Sequence, residues 1–365
     1  EPFFKVRDVC RNKNVAVFSS NFELYRDMSL RVMSTLRRFS SNVETYSIDE
    51  AFLELPVTGS EESLLSIGKD IREVVLREVG IPVSVGIAST KTLAKISAHT
   101  MKPRFKYAKH GVLISDALIH ESLKNISVGD VWGVGRKYAL RLQKVGVETA
   151  HDLLTLDVTR AQALANVLLG NTVKELKGVQ CMRVGEETEI RKSLMNSQSF
   201  NRPILSKSEV KSAVVRHARA TAEMLRAEGL LAKHIGVMVR KRGERGQHKT
   251  VYDTDVLPAY TSDTLALVKA TSGIFERIYT AGVSYVKAGV LVKDIMSEGA
   301  QSLNTLFNEE ANTNTDLMET VDALRYKHGV TMQTASELQS PTWRPKRNLL
   351  SKRCTTRWDE VCHVL

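Results

Sequence analysis

Cysteine is scarce in this chain, and none of it is grouped. Cys10, Cys181, Cys354 and Cys362 are spread over 365 residues with no Cys-x-x-Cys spacing. That argues against a zinc site or a disulfide framework and fits a reducing compartment. No apolar run approaches the roughly 20 residues that a membrane-spanning helix needs, and no signal-peptide pattern opens the chain. The expectation is a soluble, cytoplasmic protein that makes no use of a membrane. Also missing are Gly-x-Ser-x-Gly, His-Glu-x-x-His and the phosphate loop Gly-x-x-x-x-Gly-Lys-Ser/Thr, which removes the common hydrolase, metallopeptidase and nucleotide-triphosphatase readings. Acid is the minority charge. Lysine and arginine number 52 against 41 acids, a net charge of +11, which suits a polyanionic partner.

Against this background one acidic pair stands out. Between Val43 and Leu55 the residues are largely β-branched, aromatic or aliphatic, with no glycine or proline, which is strand composition. Asp49 and Glu50 interrupt that run, and two adjacent carboxylates within a buried strand are costly unless compensated. A divalent cation would compensate them, since hard oxygen ligands suit Mg²⁺. A solvated turn between two hairpin strands is the other reading.

Helical periodicity organises the flanks. Asn21 reads as an N-cap, followed by Phe22, Tyr25, Met28, Val32 and Leu36 on one face. Leu64, Ile67, Ile71, Val74 and Val75 mark a second helix, stopped by Gly80 and Pro82. Val83, Val85 and Ile87 alternate as a strand, a third helix begins near Thr92, and Val112 to Ile114 gives a further strand. Strands alternating with helices imply an α+β sheet backed by helices. Gly133-Val134-Gly135 followed by Ala139, Leu140, Leu142 and Gly146 has helix-hairpin-helix spacing. There a glycine turn lets backbone N–H groups meet a DNA phosphate; simple helix packing is the alternative. Residues 186–198 are polar and read as a linker. Beyond them come a helix (210–225), strands at 235–239 and 250–252, a helix (265–278) and a strand (283–292). The loop between the first two strands, Arg240, Lys241, Arg242, Arg245 and Lys249 included, is the densest basic cluster. It reads either as a solvated hairpin tip or as a phosphate-contacting ribbon.

Ser47-Ile48-Asp49-Glu50-Ala51-Phe52 resembles the palm signature of the Y-family DNA polymerases, the translesion enzymes, and most closely their UmuC-type members. The resemblance extends in order through Phe18 to Tyr25, Met28-Ser29, Arg31 to Met33, Gly86 to Lys95, Asp130 to Arg136 and Thr355 to Trp358. It implies an α+β multidomain fold: a fingers remnant at 1–20, a palm at 21–119, a helix-hairpin-helix thumb at 120–185, a linker at 186–198, an α/β little finger at 199–296 and a tail at 297–365. It implies error-prone DNA synthesis past lesions, with Asp49 and Glu50 as two of three carboxylates holding two Mg²⁺ ions. Gly133, Gly135, Arg136 and the basic ribbon would contact primer-template DNA. Lys102 matches the lysine that reaches the incoming dNTP, with Lys91 and Lys95 as further phosphate candidates. Gln301, Leu303, Leu306 and Phe307 resemble a sliding-clamp peptide, although Gln301 stands farther from Leu306-Phe307 than in its compact form. The basic, tryptophan-bearing last stretch implies contacts with a UmuD′ dimer and a RecA filament. The chain opens on Glu1, within what the family would make its fingers. The expectation is therefore that most of the fingers, and the first-strand Asp of the carboxylate trio, lie before it. A non-catalytic paralogue that binds DNA and replication partners, and a palm-domain nucleotidyl cyclase, are the alternatives.

Overall fold

A computed structural model describes residues 3–55, 59–101, 111–185, 191–243, 247–299, 314–328, 333–337, 343 and 348–361. The chain divides into two compact units, one of residues 1–187 with 349–365 and one of residues 188–348. No described helix is long and apolar enough to cross a membrane.

The first unit opens with α1 (Phe3–Asn12) and α2 (Phe22–Leu36). Asn21 caps α2 as its sequence predicts, accepting from the Leu24 amide. Of the expected inward stripe Leu36 is buried, Met28 and Val32 are half-buried, and Phe22 and Tyr25 are exposed, while Met33, outside that stripe, is buried. Strands β1 (Val43–Thr45) and β2 (Ala51–Leu53) form an antiparallel hairpin, Val43 opposite Leu53. Helix α3 (Glu61–Val79) runs from the Ser60 cap to Gly80, whose φ of 77° is the left-handed conformation that glycine adopts at little cost. Its Ile71 and Val75 pack on Met33 and Leu36 of α2 as a small core under the hairpin.

The strand predicted over 83–87 shrinks to β3 (Ile87–Ala88). It pairs in parallel with β4 (Val112–Leu113) across α4 (Lys91–Thr100), a βαβ unit rather than one continuous sheet with the hairpin. Its predecessors Val83 and Val85 keep their apolar role by packing on the α2–α3 core. Gly86 leaves no room for a side chain, since an added Cβ would lie 2.4 Å from the Ala94 carbonyl oxygen of α4.

Five helices follow: α5 (Asp116–Lys124), α6 (Arg136–Gln143), α7 (Ala150–Thr155), α8 (Val158–Leu164) and α9 (Val167–Leu176). Leu93 and Ile96 of α4 and Leu113 of β4 belong to the same apolar cluster as these helices. One core therefore runs across the boundary expected near residue 119.

The second unit is a four-stranded antiparallel sheet in the order β5-β8-β6-β7 with two helices on one face. The elements run β5 (Ser193–Ile204), α10 (Lys207–Ala227), β6 (Leu230–Arg242), β7 (His248–Thr261), α11 (Thr264–Ile278) and β8 (Tyr285–Ser297). The first half of strand β5, residues 193–198, lies within the stretch expected to be a linker, and the strand precedes the helix expected to come first. It reads as polar because it pairs only with β8 and shows one side to solvent. Leu194 and Ile204 face the core, while Met195 is exposed.

The tail is not loose where it is described. Helix α12 (Thr315–His328) is tied to α10 by ion pairs; its Met318 is buried, and Leu317 and Leu324 are exposed. Arg226 of α10 grips Asp322 through two nitrogens at 2.6 and 3.0 Å and also reaches the Ser262 carbonyl. Arg219, buried on the same stripe, bonds Glu223 and, at 2.9 Å, Glu337. Trp343 is 1% exposed and inserts into the core of this unit beside Phe200 and His217. Its carbonyl accepts from the Asn201 amide of β5. The last segment returns to the first unit: Ser19 bonds Leu349, and the Asn21 side-chain amide bonds Ser351.

Replacing a buried tryptophan by alanine ordinarily costs about 3–5 kcal/mol. Trp343→Ala is expected to lower the urea unfolding free energy of the second unit by that amount, to move its midpoint to lower urea, and to speed tryptic cleavage of the tail. His217 adds a pH signature. Burial, followed by the charges of Arg216 and Lys287, pushes its imidazole down to about 4. The folded ring stays neutral where the unfolded one binds a proton, so its stability contribution is complete above pH 6.5 and is lost as pH falls toward 4. The loss is on the order of 3 kcal/mol. His217→Gln, followed by thermal unfolding between pH 7 and pH 4.5, should flatten that slope.

Candidate active site

The acidic pair occupies the exposed turn of the β1–β2 hairpin, not a buried strand. Two backbone bonds, from the Tyr46 and Ser47 amides to the Glu50 carbonyl, tighten the turn. The Ser47 hydroxyl donates to Asp49 Oδ1 at 2.6 Å and accepts from the Asp49 amide, which orients that carboxylate. The cost of burying charge therefore does not arise. What compensates Glu50 is Lys95, whose ammonium lies 3.1 and 3.0 Å from its two oxygens.

Helix α4 supplies that lysine and a second one. Lys91, at its first turn, is buried, bonds Glu44 of β1 and stands 5.1 Å above the Phe52 ring. Of the phosphate candidates, then, Lys95 is at the acidic turn and Lys91 is engaged one step along the same hairpin. Lys102 lies outside the described residues.

The start of α4 is itself fixed by Glu175, a carboxylate with no exposed surface on α9. Its Oε2 accepts from the Thr92 amide and hydroxyl at 2.9 and 2.7 Å, and its Oε1 accepts from the Cys181 and Met182 amides. Thr90, the N-cap of α4, also donates to the Glu175 carbonyl. A buried anion at a helix N-terminus with four donors is a satisfied one. No local pattern marked Glu175: it follows Lys174 near the end of α9, where a charged pair reads as solvated.

In the helical part of the first unit, Gly133 adopts φ 86°, and Gly135 is the N-cap of α6 with no side-chain cap. A Cβ on Gly135 would meet nothing within 4 Å. Glycine is not demanded there by the fold, and the first-turn amides of Arg136 and Lys137 have no intrahelical acceptor. That leaves an uncapped helix start behind an open approach.

In the second unit, Arg240, Lys241 and Arg242 close β6, and Lys249 opens β7. Lys241 stands directly opposite Lys249, and Arg240 opposite Lys287 of β8. Like charges facing across a ladder are destabilising. Val237 and Val239 point into the core, so alternation places Arg240 and Arg242 on the side of the sheet away from the helices, with Lys287 and Lys293 of β8. Among the described residues none of Arg240, Arg242, Lys287 and Lys293 has a carboxylate partner. Lys287 and Lys293 were missed in the sequence because they stand alone in an apolar strand. Arg245 and the clamp-like residues Gln301, Leu303, Leu306 and Phe307 lie outside the described residues.

Among the described residues no group of three or more His, Cys, Asp or Glu side chains could hold a metal ion. Two adjacent, exposed carboxylates still fit Mg²⁺, which commonly takes one or two protein carboxylates and completes its shell with water and substrate phosphate.

Known proteins resemble this chain along its whole length. The impB/mucB/samB family matches residues 1–99, that family's C-terminal domain matches 191–305, and a domain of unknown function (DUF4113) matches 315–364. Protein UmuC of Salmonella typhimurium is 36% identical over 100% of this chain and 87% of its own length. Protein ImpB of Salmonella typhimurium is 32% identical over 99% and 86%. DNA polymerase IV of Corynebacterium diphtheriae is 28% identical over 73% of this chain and 59% of its own length. Among solved structures, a Y-family DNA polymerase chimera of Dbh and Dpo4 superposes with a TM-score of 0.63 at 19% identity, over 81% of this chain and 83% of that one.

Glu175→Ala would leave the Thr92, Cys181 and Met182 amides without their acceptor, at about 1–3 kcal/mol for each donor left dry. The variant is expected to unfold the first unit earlier, and hydrogen exchange at Thr92 and Leu93 should rise while that of α10 stays unchanged.

Proposed function

Because the chain belongs to the impB/mucB/samB family of Y-family DNA polymerases, we propose that it catalyses template-directed, error-prone DNA synthesis past lesions, as a UmuC-type catalytic subunit. The observation that carries this reading is the Asp49–Glu50 pair at the exposed tip of its hairpin, with Lys95 beside it. Phosphoryl transfer from a nucleoside triphosphate asks chiefly for positioning and for neutralised charge. Two magnesium ions held by such carboxylates and by the nucleotide's phosphates would supply Lewis-acid stabilisation to the attacking and leaving oxygens.

The chain's own contribution is geometric. Ser47 fixes the Asp49 carboxylate, and the short β1–β2 ladder keeps both acids at the tip of one turn. Lys95 is within reach of a triphosphate placed against them, and Lys102 is a further candidate for that contact. The uncapped start of α6, with Gly133, Gly135 and Arg136, suits a primer-template phosphate. The face bearing Arg240, Arg242, Lys287 and Lys293 suits a duplex backbone read without regard to sequence, and Lys241 and Lys249, on the other side of the same ribbon, are further candidates for such contact. By family resemblance, a sliding clamp at Gln301, Leu303, Leu306 and Phe307, a UmuD′ dimer and a RecA filament are the proposed protein partners, and the compartment is cytoplasmic.

Primer extension on a lesion-bearing template tests the proposal. Asp49→Ala and Glu50→Ala should each extend at under about 1% of the parent rate, the scale of losing one charge-stabilising group. Both should keep the parent's salt-dependent affinity for primer-template DNA. Extension retained by both variants would refute the assigned chemistry.

A further inference from the structure

Lys95 is held by more than Glu50. Its ammonium stands 4.8 Å above the Tyr46 ring and 5.2 Å above the Trp132 ring, within the range of cation–π attraction. Tyr46 immediately precedes the acidic turn. Trp132 comes from a different part of the chain, one residue before the Gly133–Gly135 turn. The indole N–H of Trp132 donates to the Tyr46 hydroxyl at 3.0 Å, and the two rings meet edge to face, 5.4 Å apart at 87°. Phe52, on the far side of the hairpin, lies 5.4 Å from Trp132 and 5.8 Å from Tyr46. The ammonium thus rests in a cup with two aromatic faces and one carboxylate.

We propose that Trp132 is a positioning residue that parks Lys95 on Glu50, making the lysine a built-in counter-cation which a divalent ion displaces on binding the acidic pair. The inference rests on the metal-binding reading of Asp49 and Glu50 given above. The aromatic cup supplies what the displaced ammonium then needs. It stays favourably placed over two electron-rich faces when Glu50 is taken, and so remains beside the pair as a cation for the incoming nucleotide's phosphates. The hydrogen bond to Tyr46 fixes the tilt of the indole and therefore the depth of the cup. Trp132 is also joined through one peptide bond to Gly133, so the turn offered to DNA phosphate and the cup share a rigid attachment.

The test measures metal affinity directly, without turnover. Mn²⁺ is titrated into the full chain and the free ion is counted by its EPR signal. Trp132→Leu and Lys95→Met, which loosen or remove the ammonium on Glu50, should each bind Mn²⁺ about three- to five-fold more tightly than the parent, the factor that one exposed ion pair withholds. Trp132→Phe, which keeps a ring and loses the N–H, should fall between. Asp49→Asn placed in any of these backgrounds should abolish the binding. Circular dichroism checks that each variant is folded, and Lys95→Met, which removes no core packing, carries the test if Trp132→Leu is not. In extension assays Trp132→Leu should raise KM for the nucleotide several-fold with a smaller change in kcat. Parent-like Mn²⁺ affinity in both Lys95→Met and Trp132→Phe would overturn the parking role and leave the metal site standing. Absence of Mn²⁺ binding by the parent would overturn both.

Discussion

The first unit depends on how two carboxylates on one short hairpin are balanced by two lysines on one short helix. Glu44 and Glu50 belong to β1 and to the β1–β2 turn, and Lys91 and Lys95 stand one helical turn apart on α4. The spacing matters because residues four apart share a helix face, so one helix meets the hairpin at both points. In the inner pair Lys91 is buried and Glu44 half-buried, whereas in the outer pair Lys95 is half-buried and Glu50 is exposed, which leaves the outer pair the more open to solvent and the weaker. A buried pair resists exchange, and an exposed one is replaceable. The arrangement therefore fixes the hairpin at its base while leaving its tip available to other charges. Glu175 extends the same logic one step outward, since the helix that carries both lysines begins on that carboxylate.

In the second unit the balance is the reverse. Cations face cations across the ladder, Lys241 against Lys249 and Arg240 against Lys287. Nothing in the described part of the sheet neutralises them. Acids are not scarce in this unit, but they are used elsewhere. Glu223, Asp322 and Glu337 bind the arginines of α10, and Asp253 and Asp255 bind Arg277. Carboxylates thus collect on the helices, the tail and the far strand, and the open face keeps its positive charge. Self-repulsion of that kind is a cost in the isolated protein and a gain beside a polyanion.

Much of this was legible in the sequence where the determinant is local. The Asn21 cap, the Gly80 stop, the hairpin around Asp49-Glu50 and the helices at 207–227 and 264–278 follow from capping chemistry and periodicity. What failed was non-local. Lys91 reads as a surface lysine because its partner Glu44 is 47 residues away. Strand β5 reads as linker because an edge strand with one wet face alternates polar residues with only a few buried ones. Arg219 of α10 is covered by a tail segment more than a hundred residues later, a contact that no local pattern marks. Trp343 sits in a basic, proline-bearing stretch whose composition conceals a core residue.

The tail shows why composition misled there. A helix such as α10 needs one apolar stripe to hold it on its sheet, and Val210, Ala213, Val214 and Leu225 supply it. Its opposite face has no need of cover for folding. Covering it anyway requires that every buried charge find a partner, because an orphaned one is far costlier than an exposed one. Arg219 and Arg226 meet this condition with acids drawn from α10 itself and from the tail, and Trp343 adds the apolar contact that ions alone would not provide. The segment matching the domain of unknown function is therefore built into the second unit through its described residues 315–328, 333–337 and 343. Its final residues bond the cap of α2 in the first. Such a segment cannot be removed without uncovering charge on one unit and an N-cap on the other.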